Sequence, residues 1–319
     1  MSRSMRMRAA ILACGICAAM IAGCAPTGSS EPTTVTNPGV VATSPAPVAL
    51  SPAAYQETLR NAGGAMAPGF DRLTTAGSPE DFRAALDQAS TAASDAARQL
   101  DVNPPAEVLP MHRDLLAGLQ QLTTDLSALS GQVASMELCA APSILASVSN
   151  TTGVNDLRTV RDALGSGQLG TGYQWGEFLP APTPLPDRSL ANGQLVDSRR
   201  RNGRGQFKID NGTGHDAVVK LVQSGTPVIS VYVSKGSSAT VGQINDGSYE
   251  LFFTSGTDWD DQLKAFTRSC QFERFDKTAE FATTSVQGGI EYTMESIGLQ
   301  PSFDGNARTE SVPAQSFPR

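Results

Sequence analysis

MHRDLLAGLQQLTTDLSALSGQVASM, residues 111–136, places Met111, Leu115, Leu119, Leu122, Leu126, Leu129, Val133 and Met136 at steps of three and four. That spacing is a near-heptad seam, one apolar stripe along a helix that packs against other helices. The stretches before it carry the same signature. Ser78-Pro79-Glu80-Asp81 combines a serine N-cap, proline at the first helical position and acids in the positive first turn. Its stripe is Phe82, Leu86, Ala89, Ala93, Ala96 and Leu100, and Asn103-Pro104-Pro105 breaks it. Ser51-Pro52 opens an earlier helix with Tyr55, Leu59, Ala62 and Met66 on one face. A shorter pattern, Leu157, Val160 and Leu164, ends at Gly165. Residues 51–165 therefore read as an antiparallel bundle of three or four helices.

Beyond it the composition changes. Residues 166–204 are rich in Gly, Ser and Pro, including PAPTPLP at 180–186, and read as a linker. Tyr173, Trp175 and Phe178 within it serve either to dock the linker or as a recognition segment. Arg199-Arg200-Arg201-Asn202-Gly203-Arg204 is the one basic cluster and reads as a solvated, protease-prone linker, with a site for an anionic polymer as the alternative. From 205 to 319 the period becomes two: Ala217, Val219 and Leu221; Ile229, Val231 and Val233; Tyr249, Leu251 and Phe253. Asn245-Asp246-Gly247 is a hairpin signal between 240–244 and 249–254. The expected fold class is thus α then β, a helical bundle followed by an antiparallel β-sandwich of about eight short strands.

The chain opens differently. Arg3, Arg6 and Arg8 precede an apolar run from Ala9 to Ile21, which is too short to span a bilayer. Ile21-Ala22-Gly23-Cys24 follows. An aliphatic residue, two small residues and a cysteine resemble the lipobox of bacterial lipoproteins. The resemblance implies that residues 1–23 are a signal peptide and that Cys24 becomes the lipidated N-terminus. It also implies a location at the outer face of the cell membrane, anchored through the acyl chains on that cysteine. Residues 24–50, rich in Pro, Thr, Ser and Val with Glu31 as their only charge, read as a disordered stalk. Cys14-Gly15-Ile16-Cys17 lies inside the apolar run and carries no redox reading.

Residues 206–319 also resemble a small β-domain that recurs in bacterial exported proteins of unknown function. The carrying residues are the Asn211-Gly212-Thr213-Gly214 turn, Val219-Lys220-Leu221, Val231-Tyr232-Val233 and Asp246-Gly247-Ser248-Tyr249. Gly256-Thr257-Asp258-Trp259 with Phe266, and residues 304–307 and 317–318, continue the match. The resemblance implies a fold and no catalytic residues.

Charge narrows the partners. The formal net charge is −7, and removing residues 1–23 takes away three arginines and no acid, which brings it to −10. An acidic chain is a poor nucleic-acid ligand and is repelled by anionic headgroups. The two histidines, His112 and His215, fall in different halves, and no GxSxG, HExxH or P-loop pattern occurs. No catalytic residue, cofactor or metal is expected. Asp258, Trp259, Asp260 and Asp261 form an acidic loop that supplies oxygen ligands to an ion such as Ca²⁺, or else is simply solvated. Trp259 there either stacks on a sugar ring or belongs to the core. Cys139 and Cys270 remain once Cys24 is lipidated; in an oxidising compartment they form a disulfide or stay as two buried thiols. The leading expectation is a non-enzymatic envelope lipoprotein with a protein partner. A small-ligand or Ca²⁺ binder using the acidic loop or the interdomain cleft is the alternative, and a cell-wall hydrolase ranks third.

Overall fold

A computed structural model describes residues 48–168, 172–199, 201–300 and 308–319. The lipobox with Cys24, most of the stalk, Arg200 and residues 304–307 lie outside the described residues. Among the described residues five α-helices come first, not three or four: α1 (Pro52–Thr75), α2 (Pro79–Gln99), α3 (Leu109–Ala134), α4 (Ala141–Ser149) and α5 (Thr152–Gly165). Ser51, Ser78 and Thr151 cap α1, α2 and α5, each accepting from the backbone N–H three residues on. Helix α4 has no side-chain cap and no charged residue, so no polar face marks it in the sequence. The seam of α3 buries Leu115, Leu119, Leu122, Leu126, Leu129 and Val133. Helices α1, α2, α3 and α5 share one apolar core with Ile144 and Val148 of α4.

Close approaches set the helix spacing. A Cβ on Gly69 would stand 2.9 Å from the Ala89 Cα, so α1 and α2 touch backbone to backbone there. A Cβ on Gly153 would overlap the backbone of Leu122, which fixes the start of α5 against α3. The segment after α5 belongs to the same core: Tyr173, Trp175 and Leu179 are buried in it. Of the stretch 166–204, therefore, residues 173–179 pack on the helices, and 195–198 form the first strand.

Eleven strands follow among the described residues: β1 (Leu195–Ser198), β2 (Gly205–Asp210), β3 (Asp216–Gln223), β4 (Thr226–Val233), β5 (Ser238–Ile244), β6 (Gly247–Asp260), β7 (Ala265–Phe281), β8 (Thr283–Val286), β9 (Gly289–Tyr292), β10 (Met294–Gly298) and β11 (Thr309–Ser311). Six form an antiparallel sheet in the order β1-β4-β3-β6-β7-β11. A second sheet has the order β10-β2-β5, and β8 pairs with β9 alone. Val219, Val231, Leu251 and Phe275 of the large sheet share one core with Phe207, Ile209 and Val241 of the small one. The described residues form one compact unit.

Two expectations are corrected. The sheets are not wholly antiparallel, because β10 runs parallel to β2 from Met294↔Gln206 to Gly298↔Asp210. Asn245-Asp246-Gly247 is a turn, but not a hairpin: β5 pairs with β2, whereas β6 pairs with β3 and β7. The turn carries the chain from one sheet to the other. Asp246 is held there by Thr283, whose N–H and hydroxyl both donate to its carboxylate.

Inside the helical half, Tyr55 Oη lies 3.0 Å from His112 Nδ1, and both residues are buried. Burial raises the Tyr55 pKa, with Tyr173 adding to the effect, so the phenol stays protonated. Burial likewise lowers the His112 pKa, and Asp101 and the Leu100 carbonyl offset only part of that. A folded-state value below the ordinary 6.5 means that the unfolded chain takes up the proton first on acidification. The His112 contribution is therefore present above pH 6.5 and is lost as the pH falls below it. Melting temperature should drop between pH 7 and 5, and His112→Gln should flatten that drop. A wild-type curve that is level or rising toward pH 5 would contradict this.

Candidate functional site

Of the residues singled out in the sequence, Cys139, Cys270, Asp258 and Asp260 lie at the joint between the helices and the large sheet. Helix α3 ends at Ser135, and Met136 turns the chain with a φ of 62°. Residues 136–139 then lie along the edge of β7. Cys139 N donates to Thr267 O, Ser269 N to Glu137 O and Cys270 N to Met136 O, at 2.9, 3.0 and 2.9 Å. A disulfide joins Cys139 to Cys270 across this pairing, with the Cα atoms 6.3 Å apart and a sequence separation of 131. The helical half is thus tied to the sheet by backbone hydrogen bonds and by a covalent bridge at the same place.

Behind the bridge lies a polar chain. Ser143 and Thr267, both fully buried, share a 2.5 Å hydrogen bond. The Thr267 hydroxyl donates to Asp258 Oδ2 at 2.5 Å, which makes Ser143 the donor to Thr267. Arg188 approaches from the other side. Its backbone N–H and Nε donate to Asp258 Oδ1, each at 2.8 Å, and its terminal nitrogens reach Asp258 Oδ2 at 2.7 Å and Asp260 Oδ2 at 2.8 Å. Asp260 Oδ1 also accepts from the N–H groups of Gln262 and Leu263. Burial pushes both carboxyl pKa values up, but the Arg188 and Thr267 bonds hold Asp258 below the ordinary carboxylate value. The N–H groups of the 262–263 turn and Arg188 do the same for Asp260.

This arrangement corrects the acidic-loop reading. Asp258, Trp259 and Asp260 are the end of β6, not a loop, and Asp258 and Asp260 are buried. The Arg188 guanidinium bridges the two buried carboxylates. Asp261 alone points outward, paired with Lys264 at 2.8 Å. Trp259 is 1% exposed and packs edge-on against Phe266 at 5.0 Å and Tyr232 at 6.3 Å, so it is core and not a sugar platform. Among the described residues, no three His, Cys, Asp or Glu side chains are grouped to hold a metal. His112 is engaged with Tyr55, and His215 Nδ1 lies 3.4 Å from Thr257 Oγ1, so the two rings serve separate places.

Arg188, Thr267 and Ser143 were not legible as partners. One signal for Arg188 was available: it is the sole basic residue between Arg161 and Arg199, next to no local acid but Asp187. Beside the joint, a cleft of about 460 Å³ opens between the start of α2 (Glu80, Arg83), the end of α3 (Val133, Ala134), β7 (Phe272, Glu273) and the C-terminal segment (Pro313). That segment is anchored on the outer face of the sheet. Phe317 packs on Phe252 and Phe272, and Lys220 Nζ donates to Pro318 O at 2.8 Å. Burial pushes the Lys220 pKa down to about 8.

Neither a protein-family model, nor a curated protein, nor a solved structure matches the chain. The joint must therefore be interpreted from its own chemistry.

Proposed function

We propose that this protein is a non-enzymatic envelope lipoprotein, tethered through Cys24, whose helical bundle and β-sandwich present one stiff body to another envelope component. The observation that carries the reading is the Cys139–Cys270 disulfide. Disulfides persist in oxidising compartments, and they accord with export directed by the 1–23 signal. A binding role is favoured over chemistry because the polar groups at the joint are committed to each other. Both oxygens of Asp258 are engaged by Arg188 and Thr267, and the Thr267 and Ser143 hydroxyls bond each other across the joint. The lipid supplies location, since two or three acyl chains hold a protein at a membrane stably. No helix among the described residues is long and apolar enough to cross a membrane.

The test is fractionation. Wild-type protein should sediment with membranes and resist high-salt washing, and Cys24→Ala should appear in the soluble extracytoplasmic fraction. Retention of Cys24→Ala in the membrane would overturn the tether.

A further inference from the structure

Strands β9 and β10 follow one another with only Thr293 between them. Among the described residues, β10 ends the three-stranded sheet and β9 pairs with β8 alone, so each leaves one edge without a strand. Ile290, Tyr292 and Met294 on this run are 46%, 41% and 68% exposed. Alternate residues of an extended chain share a face, so the three make one apolar stripe. Proteins usually blunt such an edge with lysine, proline or a bulge. Residues 278–300 contain no lysine, arginine or proline, and the β8–β9 and β10–β2 registers run without a shift. The charges on this stretch are Glu280, Glu291 and Glu295.

We propose that the edge at residues 289–298 is a docking strand for an extended segment of a partner protein in which apolar residues alternate with lysine or arginine. Main-chain hydrogen bonds along the edge would fix the register, as in strand addition. The apolar positions would meet Ile290, Tyr292 and Met294, and the basic ones Glu291 and Glu295. A second copy fits less well, because self-pairing brings like carboxylates together. An anionic lipid surface is repelled by the same carboxylates. The proposal rests on the reading of this protein as a binding body, and the tether at Cys24 does not enter it.

Selection of phage-displayed random dodecamers on the full chain in detergent tests it. Enriched sequences should alternate apolar and basic residues. Synthetic copies should lose at least tenfold in affinity for Met294→Lys and Tyr292→Lys but not for Leu263→Lys, a control at another exposed apolar site. Amide exchange at 289–298 should slow when the peptide binds. Failure to enrich any peptide, or enriched peptides indifferent to both edge substitutions, would overturn the proposal. So would a concentration-dependent dimer, or binding to phosphatidylglycerol vesicles, that Met294→Lys abolishes, since either identifies a different occupant. A failed tether would show only in the Cys24→Ala fractionation, so the two outcomes are separable.

Discussion

Replacing Cys139 and Cys270 together by alanine should lower the stability of the protein by about 3–5 kcal/mol. The bridge closes a loop of 131 residues, and long loops lose the most chain entropy when closed. For a unit of this size that loss moves the melting temperature by about ten degrees. The variant should still fold, because the backbone bonds of 136–139 to β7 and the Arg188 network remain. Freed of the cross-link, the unfolded chain expands and exposes more surface, so the urea m-value should rise as the midpoint falls. A midpoint and slope equal to those of wild type would mean that the two sulfurs are not bonded in solution.

The second large effect is expected at Arg188. The Asp258 side chain is 0% exposed and that of Asp260 is 8% exposed, whereas Arg188 is 44% exposed. Arg188→Met leaves two buried carboxylates without their cation. Breaking a buried pair in that way costs about 3 kcal/mol once the solvent screening of the half-exposed guanidinium is allowed for. The opposite change, Asp258→Asn, leaves a guanidinium that water can reach and should cost less. The pH dependence separates charge from packing. In the wild type both folded pKa values lie below 3.8, so the carboxylates stabilise above that pH and the contribution is lost as the pH falls through the folded values. In Arg188→Met, burial dominates and raises the folded value above the unfolded one. Stability then improves on acidification, and the deficit against wild type should shrink from pH 7 to pH 5 in urea titrations. A deficit that stays constant over that range would assign the loss to packing.

The local code of the helices was legible because each helix carries its own cap and stripe. Ser78 and Pro79 announce α2, and Leu115 to Val133 trace the buried side of α3. Helix α4 is not legible, because nine uncharged residues without a capping side chain show no period. In the β-half the alternation of Ala217, Val219 and Leu221 marks a strand but not its neighbours. Asn245-Asp246-Gly247 specifies a turn, and a turn is compatible with pairing or with a step between sheets. The step prevails because β5 finds β2, and β6 is held between β3 and β7. The parallel β10–β2 pair joins residues almost ninety positions apart, and no local pattern encodes that. The acidic run 258–261 was visible, but its meaning depended on Arg188, about seventy residues upstream. Sequence proximity of acids invites a cation; here the cation is a side chain of the same protein.

We propose an exported, lipid-tethered body whose halves are joined by a disulfide. Intact-mass spectrometry of the protein purified from membranes, alkylated without reductant, tests it most directly. The expected species begins at Cys24, carries the added mass of a diacylglyceryl group with or without a third acyl chain, and takes up no alkyl group at Cys139 or Cys270. A chain that keeps residues 1–23, or that lacks lipid, or that gains two alkyl groups would contradict it.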